Sequence, residues 1–321
     1  MVENLLEVKN LKKYFQTPRG TLHAVDNVTF NIEKGKTIGI VGESGCGKST
    51  LGKTLMRLHT PTSGEALFHG ADIASMPIKE FKKNYRSNIQ MIFQDPYASL
   101  DPRMSVLQLI EEPIKVQNRN LSRAEVTKKA QEMMELVGLA KRLEMTYPHE
   151  LDGGRRQRIG IARALSLNPE FIVCDEPVSA LDVSIQAQVL NLLQDLQADR
   201  GLTYMFITHD MSVVKHISDD IAVMYLGQMI EKCPANEIFK NTIHPYSQAL
   251  LSAIPIPNVH AKHERMVLKG ELTSPINPKP CCRFAARCPY ATDKCLAEEP
   301  VLRELKPNHS VACHFAEKFV N

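Results

Sequence analysis

Nine consecutive residues, Gly42-Glu43-Ser44-Gly45-Cys46-Gly47-Lys48-Ser49-Thr50, restrict what this chain can fold into more than any other stretch. They fit G-x-x-x-x-G-K-[ST]. An apolar run, Thr37-Ile38-Gly39-Ile40-Val41, precedes them, and a helix-compatible segment, Leu51-Gly52-Lys53-Thr54-Leu55-Met56, follows. The motif requires that order of strand, loop and helix. Glycine at 42, 45 and 47 lets the main chain approach phosphate oxygens with its N–H groups, and the helix that follows turns its positive end to the same charge. In this pattern Lys48 reaches the β- and γ-phosphates and the Ser49 hydroxyl ligates Mg²⁺. The stretch therefore predicts a bound nucleoside triphosphate at the edge of an α/β sheet.

With 321 residues the chain can bury one large α/β domain and something smaller. A net charge of +3 gives no electrostatic reason to bind nucleic acid or an anionic membrane. No apolar run reaches the ~18 residues of a transmembrane helix. The opening Met1-Val2-Glu3-Asn4 lacks the basic and apolar regions of a signal peptide, so a cytoplasmic location is expected. In that compartment eight cysteines point to metal ligands or free thiols rather than disulfides. Cys46, Cys174 and Cys233 are scattered, whereas five crowd between Cys281 and Cys313.

Residues 5–32 alternate apolar and polar positions and predict antiparallel strands around the Pro18-Arg19-Gly20 turn. Phe15 lies here, with two readings: an aromatic stacked on a base, or a core side chain, which the residues alone favour. Gln94 stands where an apolar strand, Met91-Ile92-Phe93, enters a proline-containing loop. Ser122-Arg123-Ala124-Glu125 forms a capping box for a helix with Val126, Met133, Met134 and Val137 on one face, ended by Gly138. Leu151-Asp152-Gly153-Gly154-Arg155 opens a further helix that runs to about Leu165, and its paired glycines make a second possible phosphate cradle. Phe171-Ile172-Val173-Cys174-Asp175-Glu176 is a buried strand ending in two acids. In a doubly wound sheet that end lies beside the ligand, which suits Asp175 to hold Mg²⁺ and Glu176 to polarise an attacking water. The strand Thr203-Tyr204-Met205-Phe206-Ile207 delivers His209 to the same edge, in reach of a γ-phosphate.

Together these residues resemble the ATPase subunit of an ATP-binding cassette (ABC) transporter, over nearly the whole chain. The resemblance implies a RecA-like α/β P-loop core with an antiparallel β portion and a helical subdomain. It places the Q-loop at Gln94, also a Mg²⁺ contact, the signature at residues 151–155, the D-loop at Ser179-Ala180-Leu181-Asp182 and the switch histidine at His209. It also raises the weight of adenine stacking by Phe15. In this family two cassettes dimerise head to tail, so the signature of one closes the ATP site of the other. Where the family carries Ser and Gln, this chain has Asp152 and Arg155, and an ionised Asp152 would repel a γ-phosphate.

A narrower similarity is to the oligopeptide and dipeptide importers, carried by Phe93-Gln94-Asp95-Pro96-Tyr97-Ala98-Ser99-Leu100, Val183-Ser184-Ile185-Gln186-Ala187-Gln188-Val189-Leu190 and His244-Pro245-Tyr246-Ser247-Gln248-Ala249-Leu250-Leu251. It most resembles the F-type subunit. The resemblance implies a D-type partner cassette, two membrane permeases, an external peptide-binding protein and a place on the cytoplasmic face of the membrane, with no nucleic-acid partner. Nickel and glutathione importers share much of the pattern. Soluble ABC proteins of DNA repair carry a long coiled coil between P-loop and signature, and translation-type ones carry two P-loops. This chain has neither.

The expected organisation is an ATP-binding core at 1–94 and 151–231, a helical subdomain at 95–150, and a small, proline-rich, irregular Cys-rich C-terminal domain at 232–321. Cys282, Cys288, Cys295 and Cys313, spaced C-x5-C-x6-C-x17-C, match the cysteines of the importers' C-terminal region, with Cys281 left over. An extension with little core needs a staple. Zn²⁺ is usually gripped by closer cysteine pairs, whereas a [4Fe-4S] cluster accepts four cysteinates at varied spacing. The expectation is [4Fe-4S], with Zn²⁺ the alternative, in a structural or redox-sensing role.

Overall fold

The computed structural model describes residues 3–254, 266, 268, 270 and 273–320. Its strands are β1 (Asn4–Thr17), β2 (Gly20–Glu33), β3 (Thr37–Val41), β4 (Ser63–Phe68), β5 (Ala71–Asp72), β6 (Ile89–Ile92), β7 (Phe171–Asp175), β8 (Thr203–Ile207), β9 (Asp220–Tyr225), β10 (Gln228–Pro234), β11 (Arg303–Lys306) and β12 (His309–Val311). The helices are α1 (Lys48–Leu55), α2 (Ile78–Asn84), α3 (Pro96–Ser99), α4 (Val106–Gln117), α5 (Arg123–Leu136), α6 (Gly153–Leu165), α7 (Val183–Arg200), α8 (Met211–Ile217), α9 (Ala235–Ile238), α10 (Pro245–Ser252) and α11 (Asp293–Ala297). Two compact units result, Met1–Ser75 with Phe206–Asn321, and Met76–Met205.

In the first unit the expected antiparallel portion is present. β1 pairs with β2 from Val8 opposite Phe30 to Thr17 opposite Gly20, so that Pro18 and Arg19 make the turn, and β4 and β5 continue the sheet on the other side of β1. Leu6, Val8, Leu11, Val28 and Phe30 are buried on it. Beside it β3 runs parallel to β9, with Ile40 opposite Ala222, and every residue of β3 is buried. That continuous apolar run is what a parallel strand covered on both faces requires.

The C-terminal residues are less irregular than their prolines imply. β12 adds to β10 in antiparallel register and β11 adds to β12. The buried Glu231 of β10 explains the attachment. Its carboxylate accepts from the Ile243 and His244 main-chain N–H groups at 2.9 and 3.1 Å, and His309 Nε2 of β12 lies 2.8 Å away. A buried carboxylate is tolerated only when so satisfied. Ile243, Val311 and Ala316 close a small apolar cluster over it with Leu305 and Phe319.

In the second unit β6 and β7 are parallel, with Met91 opposite Val173. The segment between them carries the expected helices. The Ser122 capping box forms, the Ser122 N–H donating to Glu125 Oε2 at 2.7 Å and the Glu125 N–H to Ser122 Oγ at 3.3 Å. Val126, Met134 and Val137 are buried, and Gly138 (φ +69°) ends the helix. Ser105 and Gln108 make a second capping box on α4. No helix among the described residues is long and apolar enough to cross a membrane.

Candidate functional site

The loop between β3 and α1 has the geometry its glycines predict. Gly47 sits at φ +107°, and a Cβ there would lie 2.1 Å from the Ala24 carbonyl oxygen. At Gly42 (φ +152°) a Cβ would lie 2.2 Å from that of Met224. Both positions therefore exclude any side chain. α1 begins at Lys48 with no acidic residue in its first turn, which leaves its positive end suited to an anion. Lys48 is only 4% exposed, and its Nζ donates to the carbonyls of Gly42 and Glu43 at 2.7 and 3.0 Å. Ser44 and Gly45 are exposed on the outer side of the loop. Cys46 is buried, its carbonyl accepts from the Gly227 N–H at 2.8 Å, and burial pushes its thiol up. It is a small packing residue there, since a protonated thiol reacts poorly.

Two further predicted residues belong to this unit. His209 is exposed just beyond β8, where the Thr208 N–H donates to the Ile40 carbonyl at 3.1 Å and so brings the end of that strand beside β3. Phe15 is half-buried, with its ring edge against His59 at 5.3 Å and the Lys13 ammonium 4.6 Å from its centroid. Tyr14, next to it, is committed elsewhere: it stacks on His23 at 3.8 Å and donates its hydroxyl to Asp26.

The second unit holds the carboxylate end of the predicted machinery. Asp175 closes β7 and is 2% exposed. Glu176 follows at φ +47°, a left-handed backbone that a glutamate adopts only under constraint, and its carbonyl accepts from the Ser179 N–H and Oγ. Gln94 Nε2 donates to Glu176 Oε2 at 3.0 Å, so two residues far apart in sequence meet side chain to side chain. Ser49 hydroxyl, Asp175 carboxylate and Gln94 amide oxygen are all hard oxygen donors, the chemistry Mg²⁺ accepts.

Residues 151–155 open α6 as expected. Asp152 is its N-cap, accepting from the Arg155 N–H at 2.8 Å, and the Arg155 guanidinium lies 3.4 Å from the other carboxylate oxygen. The paired glycines serve packing in addition to any ligand. A Cβ at Gly153 would meet Leu181 Cδ2 at 3.2 Å, and one at Gly154 would meet Ile185 Cγ2 at 2.6 Å. Residues 153–154 therefore rest on Leu181 and on Ile185 of α7, whose N-cap is Asp182.

The cysteines are where the structure departs from the sequence. Among the described residues no group of three or more His, Cys, Asp or Glu side chains is arranged to hold a metal ion, so the expected [4Fe-4S] or Zn²⁺ cage of Cys282, Cys288, Cys295 and Cys313 is not assembled. The physical reason is that thiol deprotonation and metal binding are coupled, so the ligand set forms with its ion and not before it. Burial pushes the Cys282 thiol up to about 12 and raises Cys288 and Cys313, against main-chain N–H groups of Phe284, Tyr290 and Phe315 that favour the thiolates. The four do share one neighbourhood, with the Cys282 N–H donating to the Cys295 carbonyl at 3.0 Å.

One contact to the P-loop was not foreseen. Arg287, between these cysteines, forks onto Glu43 with Nη1–Oε2 at 2.6 Å and Nη2–Oε1 at 3.1 Å. The sequence signal for it is a pair of arginines, Arg283 and Arg287, spaced four apart within a cysteine-bounded turn. Arg283 in turn donates to Asp26 and to the Leu226 carbonyl.

Comparison with known proteins shows the family. The family described as ABC transporter matches residues 25–179, and the family described as oligopeptide/dipeptide transporter, C-terminal region, matches residues 230–295. The chain is 52% identical to the oligopeptide transport ATP-binding protein AppF of Bacillus subtilis (strain 168), covering 97% of each, and 48% identical to OppF of the same organism, covering 99% of this chain and 98% of that one. Among solved structures, the ATP-binding cassette MJ0796, described as a dimer in a post-hydrolysis state bound to ADP and Pi, covers 72% of this chain at 31% identity with a TM-score of 0.66. A P-loop that buries its lysine, a paired Gln94 and Glu176, and relatives alike from end to end lead to one conclusion: this chain is an ATPase of the ABC transporter family, in its oligopeptide/dipeptide branch.

Proposed function

We propose that the chain hydrolyses ATP to power import of di- and oligopeptides. The observation that carries the cargo is the match of its C-terminal residues 230–295 to the oligopeptide/dipeptide transporter region, together with full-length similarity to oligopeptide transport ATP-binding proteins. In this reading residues 42–50 cradle the phosphates, with Lys48 on the β- and γ-oxygens, and Phe15 stacks on adenine. Ser49, Asp175 and Gln94 are the Mg²⁺ donors, Glu176 orients and deprotonates the attacking water, and His209 contacts the γ-phosphate. Mg²⁺ itself supplies charge neutralisation on the phosphates. The functional division stays core (1–94 and 151–231), helical subdomain (95–150) and C-terminal region (232–321).

The working assembly is a head-to-tail pair with a D-type cassette on the cytoplasmic face of the membrane, seated on two permeases and served by an external peptide-binding protein. Co-purification with the permeases, followed by ATP-dependent peptide uptake in vesicles, tests this. Uptake of nickel or glutathione in place of peptide would reassign the cargo.

In that pair residues 151–155 complete the partner's ATP site and set a carboxylate where a hydroxyl usually donates. Asp152 is 59% exposed at its side chain and is held by Arg155, which only partly offsets its charge. Asp152→Ser keeps the N-cap. It is expected to raise the steady-state ATPase rate of the assembled complex several-fold, and an unchanged rate would remove the asymmetry.

The cysteine group belongs to the same proposal. Thiolate donors suit iron or zinc, and the shared neighbourhood of the four cysteines supports one resident centre, [4Fe-4S] before Zn²⁺. No step of hydrolysis passes through it. Anaerobically purified chain is expected to be brown and to contain iron. Stoichiometric zinc without iron selects the alternative, and neither metal dismisses both.

A further inference from the structure

Glu43 is a junction. Its carboxylate takes the Arg287 fork, its N–H donates to the Tyr246 hydroxyl at 2.9 Å, and its carbonyl accepts from Lys48 Nζ at 3.0 Å. Two of these three partners come from the C-terminal segment, and the third is the lysine of the P-loop.

The support behind them is buried and hydrogen-bonded. Tyr246 is fully buried, with its ring against Tyr225 at 4.7 Å and Phe284 at 5.5 Å. Phe284 and Arg287 belong to one tight turn in which the Arg287 and Cys288 N–H groups donate to the Phe284 carbonyl at 2.9 and 3.0 Å. Arg287 is 10% exposed at its side chain and Glu43 30%. A bidentate pair shielded to this degree fixes orientation better than a surface ion pair does.

We propose that Arg287, seconded by Tyr246, is a positioning residue for ATP. From the C-terminal extension it clamps Glu43 and thereby holds the first turn of the P-loop, and the Lys48 ammonium attached to it, in the form that receives phosphates. A loop ordered before the nucleotide arrives loses less entropy on binding, so the clamp acts on affinity rather than on the chemical step. The extension is then part of the nucleotide site, although it presents no group to the nucleotide itself.

This rests on residues 42–50 being the ATP site, so Lys48→Ala serves as the control in the same assay. With fluorescent ATP titrated into the intact chain, and steady-state kinetics on the assembled complex, Arg287→Ala is expected to raise Kd and KM for ATP about tenfold, the factor one charge-assisted hydrogen bond is worth. Saturated kcat should stay within about twofold, as loss of uniform binding requires. Arg287→Lys restores part of the affinity, and Tyr246→Phe, which deletes only the hydroxyl, gives a smaller rise. Glu43→Gln combined with Arg287→Ala shows no further loss beyond the larger single effect. A merely structural arginine would lower the melting temperature and leave Kd unmoved. Wild-type Kd in both Arg287→Ala and Tyr246→Phe, while Lys48→Ala abolishes binding, overturns the clamp alone. Retained binding in Lys48→Ala overturns the site it rests on.

Discussion

Glu176→Gln is expected to keep ATP bound and to lower turnover by ~10²–10⁴-fold, the range a positioned general base contributes. The substitution is nearly isosteric, so the loop held by the Ser179 contacts to the Glu176 carbonyl is undisturbed. An amide oxygen at the same place can still accept from Gln94 Nε2 but cannot take a proton from water. The strained φ of +47° supports the assignment independently, because such a backbone persists only where surrounding structure enforces it. ATPase rate and nucleotide retention measured on one preparation give the result. Normal hydrolysis by the variant would move the base to another residue.

Lys48→Ala is expected to abolish ATP binding and turnover together, since Lys48 reaches both the β- and γ-phosphates and each charge-assisted contact contributes about 1.5–3 kcal/mol. Unlike Glu176, Lys48 supplies charge to the ground state as well as to the transition state. It is also buried, with Nζ spanning the Gly42 and Glu43 carbonyls, so its removal loosens the loop. Retention of labelled nucleotide at millimolar Mg²⁺, with a melting curve to exclude unfolding, measures the effect. Binding that survives the substitution would displace the P-loop from the centre of the mechanism.

The two predictions draw on residues of different legibility. The role given to Lys48 was readable because six neighbours in sequence fix its environment: the glycines at 42, 45 and 47 dictate the loop, and the helix begins where the motif says. Glu176 was readable from an apolar strand that ends in acids, but its partner Gln94 was only a glutamine at a strand end until the family pattern named it. The capping box of Ser122 and the stop at Gly138 were equally local and form as expected. The cysteines show the opposite limit. Their spacing named donors of the right chemistry, while convergence is coupled to the ion that displaces their protons and is not encoded by neighbours in sequence.

What the sequence determined by itself was the set of motifs whose geometry is imposed by covalent neighbours: the phosphate loop, the acids ending β7, the helix starts, and the alternation that made β1 and β2 antiparallel. Only the tertiary structure decided that Arg287 and Tyr246 close on Glu43, that Glu231 carries the C-terminal strands on a buried carboxylate, and that Gly154 is small because Ile185 lies against it. The reason is physical. A turn or a cap is settled by the few dihedral angles within it, whereas contacts between residues hundreds of positions apart are chosen by how the whole chain buries its apolar surface and satisfies the polar groups it takes along.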